Sequence, residues 1–230
     1  MKDVMFGSAY FGFVISILAF YIGTRIKKRF PHPLFNPLLI AMILVILVLV
    51  IFDVDFESYN NGARYLSYLL TPATVCLAIP LYQQLDLLKQ NLAAVLVSIF
   101  AGVLASLGSI FLMSLLFRLN SAQYITLLPK SITTAIGISL SEELGGIPNI
   151  TMAAIIITGI LGNIIGETVC RIFCIRHPIA VGLSFGTAAH AIGTSKAMEL
   201  GEVQGAMGSL SIAVAGLMTV VAASIFASFI

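Results

Sequence analysis

The chain has 230 residues, of which 59% are hydrophobic and 10% are charged, and its formal net charge is +2. Soluble domains contain about 25% charged residues, so this composition excludes an ordinary soluble domain, and so small a net charge gives no argument for binding a polyanion such as nucleic acid. The mean hydropathy of +1.06 predicts an all-helical polytopic membrane protein.

Apolar runs long enough to cross a bilayer, which takes about 20 residues in a helix, follow one another along the chain. Five runs contain no charge over at least 18 residues: 4–23, 34–52, 65–82, 92–117 and 203–230. A shorter sixth run at 150–166 extends past Glu167. The first run lacks a small-residue cleavage site and is followed by basic residues, so we expect a retained helix and not a signal peptide.

Basic loops favour the cytoplasmic side of a membrane. The loop at 24–33 contains four basic residues and the loop at 53–62 is acidic, so the first should be cytoplasmic and the second external. The next loop, with Lys89, then returns to the cytoplasm. With six crossings, this order predicts that both termini lie outside.

Two further segments, 121–148 and 179–202, are only moderately apolar, rich in Gly, Ser and Thr, and carry internal charges. We expect about six spanning helices plus two broken or re-entrant elements, and eight crossings with discontinuous helices remain the alternative. Non-helical backbone at membrane depth is tolerated where it is buried in protein or lines a watery cavity. The two segments therefore mark the expected working centre.

An internal repeat supports this division. The pattern Ala-Ile-Pro or Ala-Ile-Gly begins at Ala78, Ala135 and Ala191, at offsets of 57 and 56. Each copy also has a hydroxyl residue four before the alanine, an acid eight after it and a glycine in the following apolar run: Thr74, Asp86 and Gly102; Ser131, Glu143 and Gly159; Thr187, Glu199 and Gly216. Coincidence is the alternative, since Ala, Ile and Gly are common here.

The repeat divides a single membrane domain, 1–230, into two N-terminal helices (1–61) and three units of a broken and a smooth helix: 62–120, 121–178 and 179–230. We expect inverted repeats, an arrangement common in secondary transporters.

Polar residues at the two breaks form the candidate substrate site. Thr187, His190 and Thr194 are three and four residues apart, which would place them on one helix face. The other break offers a lysine and three hydroxyl residues: Lys130, Ser131, Thr133 and Thr134. An ammonium group with hydroxyl donors suits a small carboxylate. The alternatives are that Lys130 reaches toward an interface and that His190 is a packed, hydrogen-bonded core residue.

Other ionisable groups could couple transport to protons or ions. Asn163 and Glu167, four residues apart, could face the same cavity, where Asn163 is a further candidate substrate ligand. Glu167 and Glu143 are candidate coupling groups beside His190, which titrates near neutral pH. Lys196 and Glu199 are interpreted as a helix-surface pair. The sequence shows no phosphate-binding glycine loop, zinc-ligand spacing or nucleophile triad, so we expect no enzyme, no cofactor and no metal.

Three segments carry a family resemblance: "LPKSITTAIGISLSEELGGIP" (128–148), "ITGILGNIIGE" (157–167) and "GLSFGTAAHAIGTSKAMELGEVQGAMGSL" (182–210). They resemble the LrgB/CidB family of bacterial membrane proteins. Family members often have a proline where this chain has Ala135, so we expect the break there at Gly137 instead. In the later segment we expect the break at Gly193.

The resemblance implies two alternative functions. The family was first described as antiholin-like and tied to murein hydrolase export and autolysis, which implies a holin-like pore or lysis regulator that oligomerises. A plant relative moves glycolate and glycerate, and bacterial relatives are linked to pyruvate, which implies a transporter of small hydroxy- or keto-carboxylates. We expect the second function, in a bacterial inner membrane with a small LrgA/CidA-like membrane protein as partner and both termini periplasmic. Self-association into a homo-oligomer is left open.

Overall fold

The computed structural model describes Ser8, residues 10–30, His32 and residues 35–230, apart from the side chain of Thr74. The start of the run at 4–23, Leu34 at the start of the second run and the Thr74 hydroxyl of the repeat lie outside the described residues. Within these ranges the chain is helical and contains no strand. It divides into two compact units, Met1–Cys76 and Leu77–Ile230.

The first unit contains α1 (Phe11–Arg29), α2 (Pro37–Phe52), α3 (Phe56–Ser67) and α4 (Leu70–Cys76). Side-chain caps begin two of these helices. The carboxamide oxygen of Asn36 accepts the N–H of Leu38 at 2.8 Å to start α2, and the Asp55 carboxylate accepts the N–H of Glu57 at 2.9 Å to start α3. Helix α1 packs against both α2 and α3.

The second unit contains α5 (Ala78–Gln83), α6 (Leu85–Gln90), α7 (Leu92–Phe117), α8 (Ser121–Leu127), α9 (Thr134–Leu144), α10 (Pro148–Ile172), α11 (Pro178–Leu200) and α12 (Glu202–Phe226), followed by a 3-10 turn at Ala227–Phe229. Helix α7 buries one stripe of side chains at helical spacing: Val95, Ile99, Val103, Leu107 and Ile110. These side chains belong to a core that also includes residues of α8 and α12. Helix α11 packs along both α10 and α12, and thus brings the third repeat unit against the second.

The expected class, an all-helical polytopic membrane protein, is confirmed. Among the described residues, four runs are long and apolar enough to cross a membrane: Phe56–Gln83, Leu92–Phe117, Pro148–Ile172 and Glu202–Phe229. The predicted run at 65–82 is not one continuous helix, because the structure divides this part of the chain among α3, α4 and α5. Helix α2 is apolar but shorter, at 16 residues. The number of crossings and the sidedness of the termini stay predictions.

Both segments expected to be interrupted are interrupted, but not at the expected glycines. Between α8 and α9 the helix stops over residues 128–133, and in α11 the pair Ala189 and His190 leaves the helical region, with φ of −135° and 42°. Gly137 lies inside α9, where a side chain would meet the Ile155 methyl and Pro129, and Gly193 lies inside the second half of α11 against the Phe185 carbonyl. These glycines therefore permit close packing after each break and do not form the break.

The Ala-Ile pairs of the repeat stand at equivalent places. Helix α5 begins at Ala78, α9 begins one residue before Ala135, and the second half of α11 begins at Ala191. Each pair thus follows an interruption and opens a helix. The inverted relation between the units stays a prediction.

Candidate functional site

A cavity of about 770 Å³ lies in the second unit between α7, α10 and the first half of α11, and it reaches the turn at 128–133. Seven hydroxyl residues line it: Ser98, Ser106, Ser109, Ser131, Thr158, Ser184 and Thr187. Lys130 is the one charged residue among the described lining residues. The remaining lining is small or aliphatic, so the cavity presents one ammonium group and several hydroxyls in apolar walls.

Lys130 lines this cavity and is hydrogen-bonded to a pair of serine hydroxyls. Its Nζ donates to the Ser131 hydroxyl at 3.2 Å, and the Ser131 Oγ lies 3.0 Å from the Ser106 Oγ. Lys130 is half-buried and makes no ion pair with any carboxylate that the structure describes. Because an ammonium group has three N–H donors and a buried charge is costly without a counter-ion, this arrangement favours an anionic ligand.

Thr187 contributes a second unusual group to the cavity wall. The residue is 7% exposed, and its hydroxyl has no hydrogen-bond partner among the described residues. Its methyl carbon lies 2.8 Å from the place where a Cβ on Gly102 would be, so the glycine makes room for it. Leaving a buried hydroxyl unpaired costs about 1–3 kcal/mol, which a hydrogen bond to a ligand would recover once the Thr187 side chain rotates its oxygen toward the cavity.

We predict that Thr187→Val lowers ligand affinity without lowering stability. Valine has nearly the same shape, and no hydrogen bond within the described chain is lost, so the thermal unfolding temperature in detergent should not fall. The Kd for a small carboxylate should rise about three- to tenfold, as expected for one lost hydrogen bond of about 1 kcal/mol. Thr168→Val, on the exposed side of α10, is the control. A fall in unfolding temperature with an unchanged Kd would show that the hydroxyl is structural.

His190, expected at the substrate site, does not line this cavity. It is 4% exposed, and its Nε2 lies 3.0 Å from the Ile155 carbonyl oxygen of α10. Because a carbonyl only accepts, Nε2 carries the proton and donates. A Cβ on Gly159 would lie 2.7 Å from the ring Cε1. His190 thus connects the non-helical pair in α11 to α10, and its ring occupies the space left by the missing side chain of Gly159. We call this space the glycine notch.

The shared face expected for Thr187, His190 and Thr194 is not formed. Thr187 lies against α7 at Gly102, His190 against α10, and the fully buried Thr194 against α12, with its Oγ1 3.1 Å from a Cβ position on Gly208. The physical reason is the non-helical pair between them, since spacings of three and four define a face only where the helix is continuous.

The other predicted residues are distributed around the site. Thr133 and Thr134 open helix α9 and are half-buried, but they do not line the cavity. Asn163 is also absent from the lining: its Nδ2 donates to the Ile192 carbonyl at 2.8 Å and thereby holds the second half of α11 against α10. Glu143 is exposed near the end of α9, beside a shallow depression. The structure therefore brings together only three of the predicted ligands, namely Lys130, Ser131 and Thr187.

Glu167 faces a different cavity from the one expected for it with Asn163. It pairs with Arg171 one turn along α10, and its other oxygen lies 3.6 Å from Lys196 Nζ. The expected pair of Lys196 with Glu199 is present at 3.1 Å. Because Lys196 contacts carboxylates from both α10 and α11, this pair belongs to a network between two helices and not to a free helix surface.

The sequence interpretation missed the contribution of α7 to the cavity. Ser98, Gly102, Ala105 and Ser109 recur at spacings of four, three and four, so a signal was present: one stripe of small residues along an apolar helix. Such stripes also serve close helix packing in membranes. The stripe alone therefore could not distinguish a cavity wall from a helix contact.

Comparison with known proteins gives one consistent result. The model of the LrgB-like family matches residues 16–229. Proteins named antiholin-like protein LrgB from Bacillus cereus strains B4264 and AH187 are each 40% identical over 222 residues, which cover 96% of this chain and 96% of theirs. No solved structure matches.

Proposed function

The chain belongs to the LrgB-like family, and on that premise we propose that it is a secondary transporter or facilitator of small hydroxy- and keto-carboxylates. The observation that carries the proposal is the cavity with Lys130 bonded to the Ser131 and Ser106 hydroxyls. The ammonium group would bind the carboxylate through charge-assisted hydrogen bonds. The hydroxyls around it would bind an oxygen on the neighbouring carbon.

The polarity of the cavity supports small carboxylates such as glycolate, glycerate and pyruvate, and its volume of about 770 Å³ is more than enough for acids of two or three carbons. Ligand pockets are typically apolar with a few placed polar groups that fix orientation, and this cavity has that composition. The Thr187 hydroxyl, which has no partner among the described residues, would offer a further donor after rotation of its side chain toward the cavity. Proton coupling through His190, Glu167 or Glu143 is not needed for this proposal, since none of the three lines the cavity.

The proposal includes a partner and a location. We place the chain in the bacterial cytoplasmic membrane, with both termini outside, together with a small LrgA/CidA-like membrane protein. Exposed aliphatic and aromatic side chains on α2 and α7, among them Ile46, Val50 and Leu116, supply apolar surface for lipid or such a partner.

The second candidate function is regulation of murein hydrolase export and autolysis. The names of the relatives favour this candidate and say nothing of transport: both Bacillus cereus proteins are called antiholin-like. A regulator that acts by forming a pore would not require Lys130 bonded to the serine hydroxyls. The two candidate functions therefore differ in whether the hydrogen bonds among Lys130, Ser131 and Ser106 are required.

The deciding experiment measures movement of labelled pyruvate, glycolate and glycerate into proteoliposomes, with and without the partner. We expect saturable movement and competition among the three acids, and much weaker competition by propionate, which lacks the oxygen on its second carbon. Ion conductance that does not saturate would favour the pore. Complementation of autolysis in a Bacillus cereus strain lacking its antiholin-like protein, by both the wild-type chain and Lys130→Gln, would favour regulation independent of transport.

A further inference from the structure

A second cavity, of about 260 Å³, lies at the turn between α10 and α11. Its lining includes two arginines, Arg171 and Arg176, together with Glu167 and the Gln204 side chain. Ile175 lines both this cavity and the larger one described above. One aliphatic side chain thus stands between an arginine-lined cavity and the Lys130 cavity.

The position of Ile175 is fixed by the way α10 ends. Cys174 adopts a left-handed conformation with φ of 56°, and the N–H of Ile175 then donates to the Cys170 carbonyl at 2.8 Å. This reversal resembles the bonding that commonly terminates helices. The Ile175 side chain packs against an apolar cluster that includes Val181 and Phe185. The backbone at the boundary between the two cavities is therefore fixed by a defined turn, and the Ile175 side chain on it is only half-buried.

The charges around the second cavity do not cancel. Arg171 pairs with Glu167, and Lys196 is shared between Glu167 and Glu199. Among the described residues that line the cavity itself, two arginines thus face one carboxylate. Arg176 is exposed and makes no ion pair or hydrogen bond within the part of the chain that the structure describes. The uncompensated charge at this cavity is positive.

We propose that this second cavity is a peripheral anion site, where Arg176 receives a small carboxylate before it passes Ile175 into the Lys130 cavity. The inference rests on the proposed function for the direction of travel. A guanidinium presents paired N–H donors that match a carboxylate, and a cleft of one sign raises the local concentration of opposite ions. An exposed site of this kind increases the rate of entry, whereas the Lys130 cavity provides the affinity.

The transport test compares Arg176→Gln with Arg118→Gln. Arg118 is likewise exposed and unpaired within the described residues, but it lines neither cavity. With labelled pyruvate at low ionic strength, Arg176→Gln should raise KM about three- to tenfold with kcat unchanged, and added salt should reduce the difference from wild type. Arg118→Gln should match wild type. If Arg176→Gln has the same KM as wild type at low salt, the proposed peripheral anion site is wrong.

A second test does not depend on transport. In a chain with Cys76, Cys170 and Cys174 replaced by serine, Ile175→Cys is treated in detergent with anionic and cationic thiosulfonate reagents of similar size. Adding Arg176→Gln should lower the ratio of anionic to cationic labelling rates about threefold or more, since a unit charge a few ångströms away is removed. Adding Arg118→Gln should leave the ratio unchanged. If wild-type protein moves no carboxylate but this ratio falls, the anion site stands and the transport proposal fails. An unchanged ratio would contradict the site even where transport is observed.

Discussion

Replacing Lys130 by glutamine is expected to raise the KM for carboxylate transport by about 10- to 100-fold, the equivalent of about 1.5–3 kcal/mol for a hydrogen bond to a charged group. Glutamine keeps much of the length and a donor but removes the charge. The Ser131 and Ser106 hydroxyls can still pair with each other, since their oxygens are 3.0 Å apart. The loss should therefore appear as weaker substrate binding and not as lower stability. Concentration-dependent uptake of labelled pyruvate into proteoliposomes measures it.

A matched control for this change is Lys89→Gln. The Lys89 side chain is 72% exposed and reaches only a surface pair with Asp86 at 4.0 Å, a geometry that contributes little. Transport by Lys89→Gln should equal that of wild type, with the same number of inserted molecules in each preparation. If Lys130→Gln transports with wild-type kinetics, Lys130 does not bind the substrate, and the proposed site consists of hydroxyls without a cation.

The class of the protein and most of its long helices could be predicted from the sequence, because apolar length is a direct requirement of the bilayer. The apolar run at 92–117 corresponds to one helix with the same limits, and the run at 203–230 corresponds to α12 and the turn after it. The interruption of two segments was also predictable, since their composition suits a spanning helix poorly. The positions of the two breaks were not predictable, because the glycines that suggested them lie inside helices and permit close approach of neighbouring atoms.

The site was only half predictable for a related reason. Lys130, Ser131 and Thr187 do line one cavity, and each stands at or just before a break, which is where transporter folds place binding groups. His190, Thr194 and Asn163 face neighbouring helices instead. Helical spacing cannot give the directions of side chains across Ala189 and His190, where the backbone rotates out of the helix. A single sequence contains no measure of that rotation.

The glycine notch at Gly159 gives the largest expected effect on stability. In Gly159→Ala, the added methyl would lie 2.7–2.8 Å from two atoms of the His190 ring. The ring must move, and its hydrogen bond to the Ile155 carbonyl is strained or lost. An unpaired buried polar group costs about 1–3 kcal/mol, and overpacking costs about 1–3 kcal/mol more. These terms outweigh the gain of about 1 kcal/mol from placing alanine in a helix. We expect a clearly lower thermal unfolding temperature in detergent.

Gly108→Ala separates this effect from helix propensity. Gly108 lies in another long apolar helix, α7, and no described atom lies within 4 Å of its Cβ position. That change should leave stability unchanged or raise it. The double variant Gly159→Ala/His190→Ala tests the contact itself. With the ring removed, the added methyl would meet only the terminal Cδ1 of Ile192, 2.8 Å from the Cβ position and at the end of a flexible side chain. The double variant should therefore be about as stable as His190→Ala alone. If the two losses simply added, the notch would not be made by this contact, and the link between the α11 break and α10 would need another source.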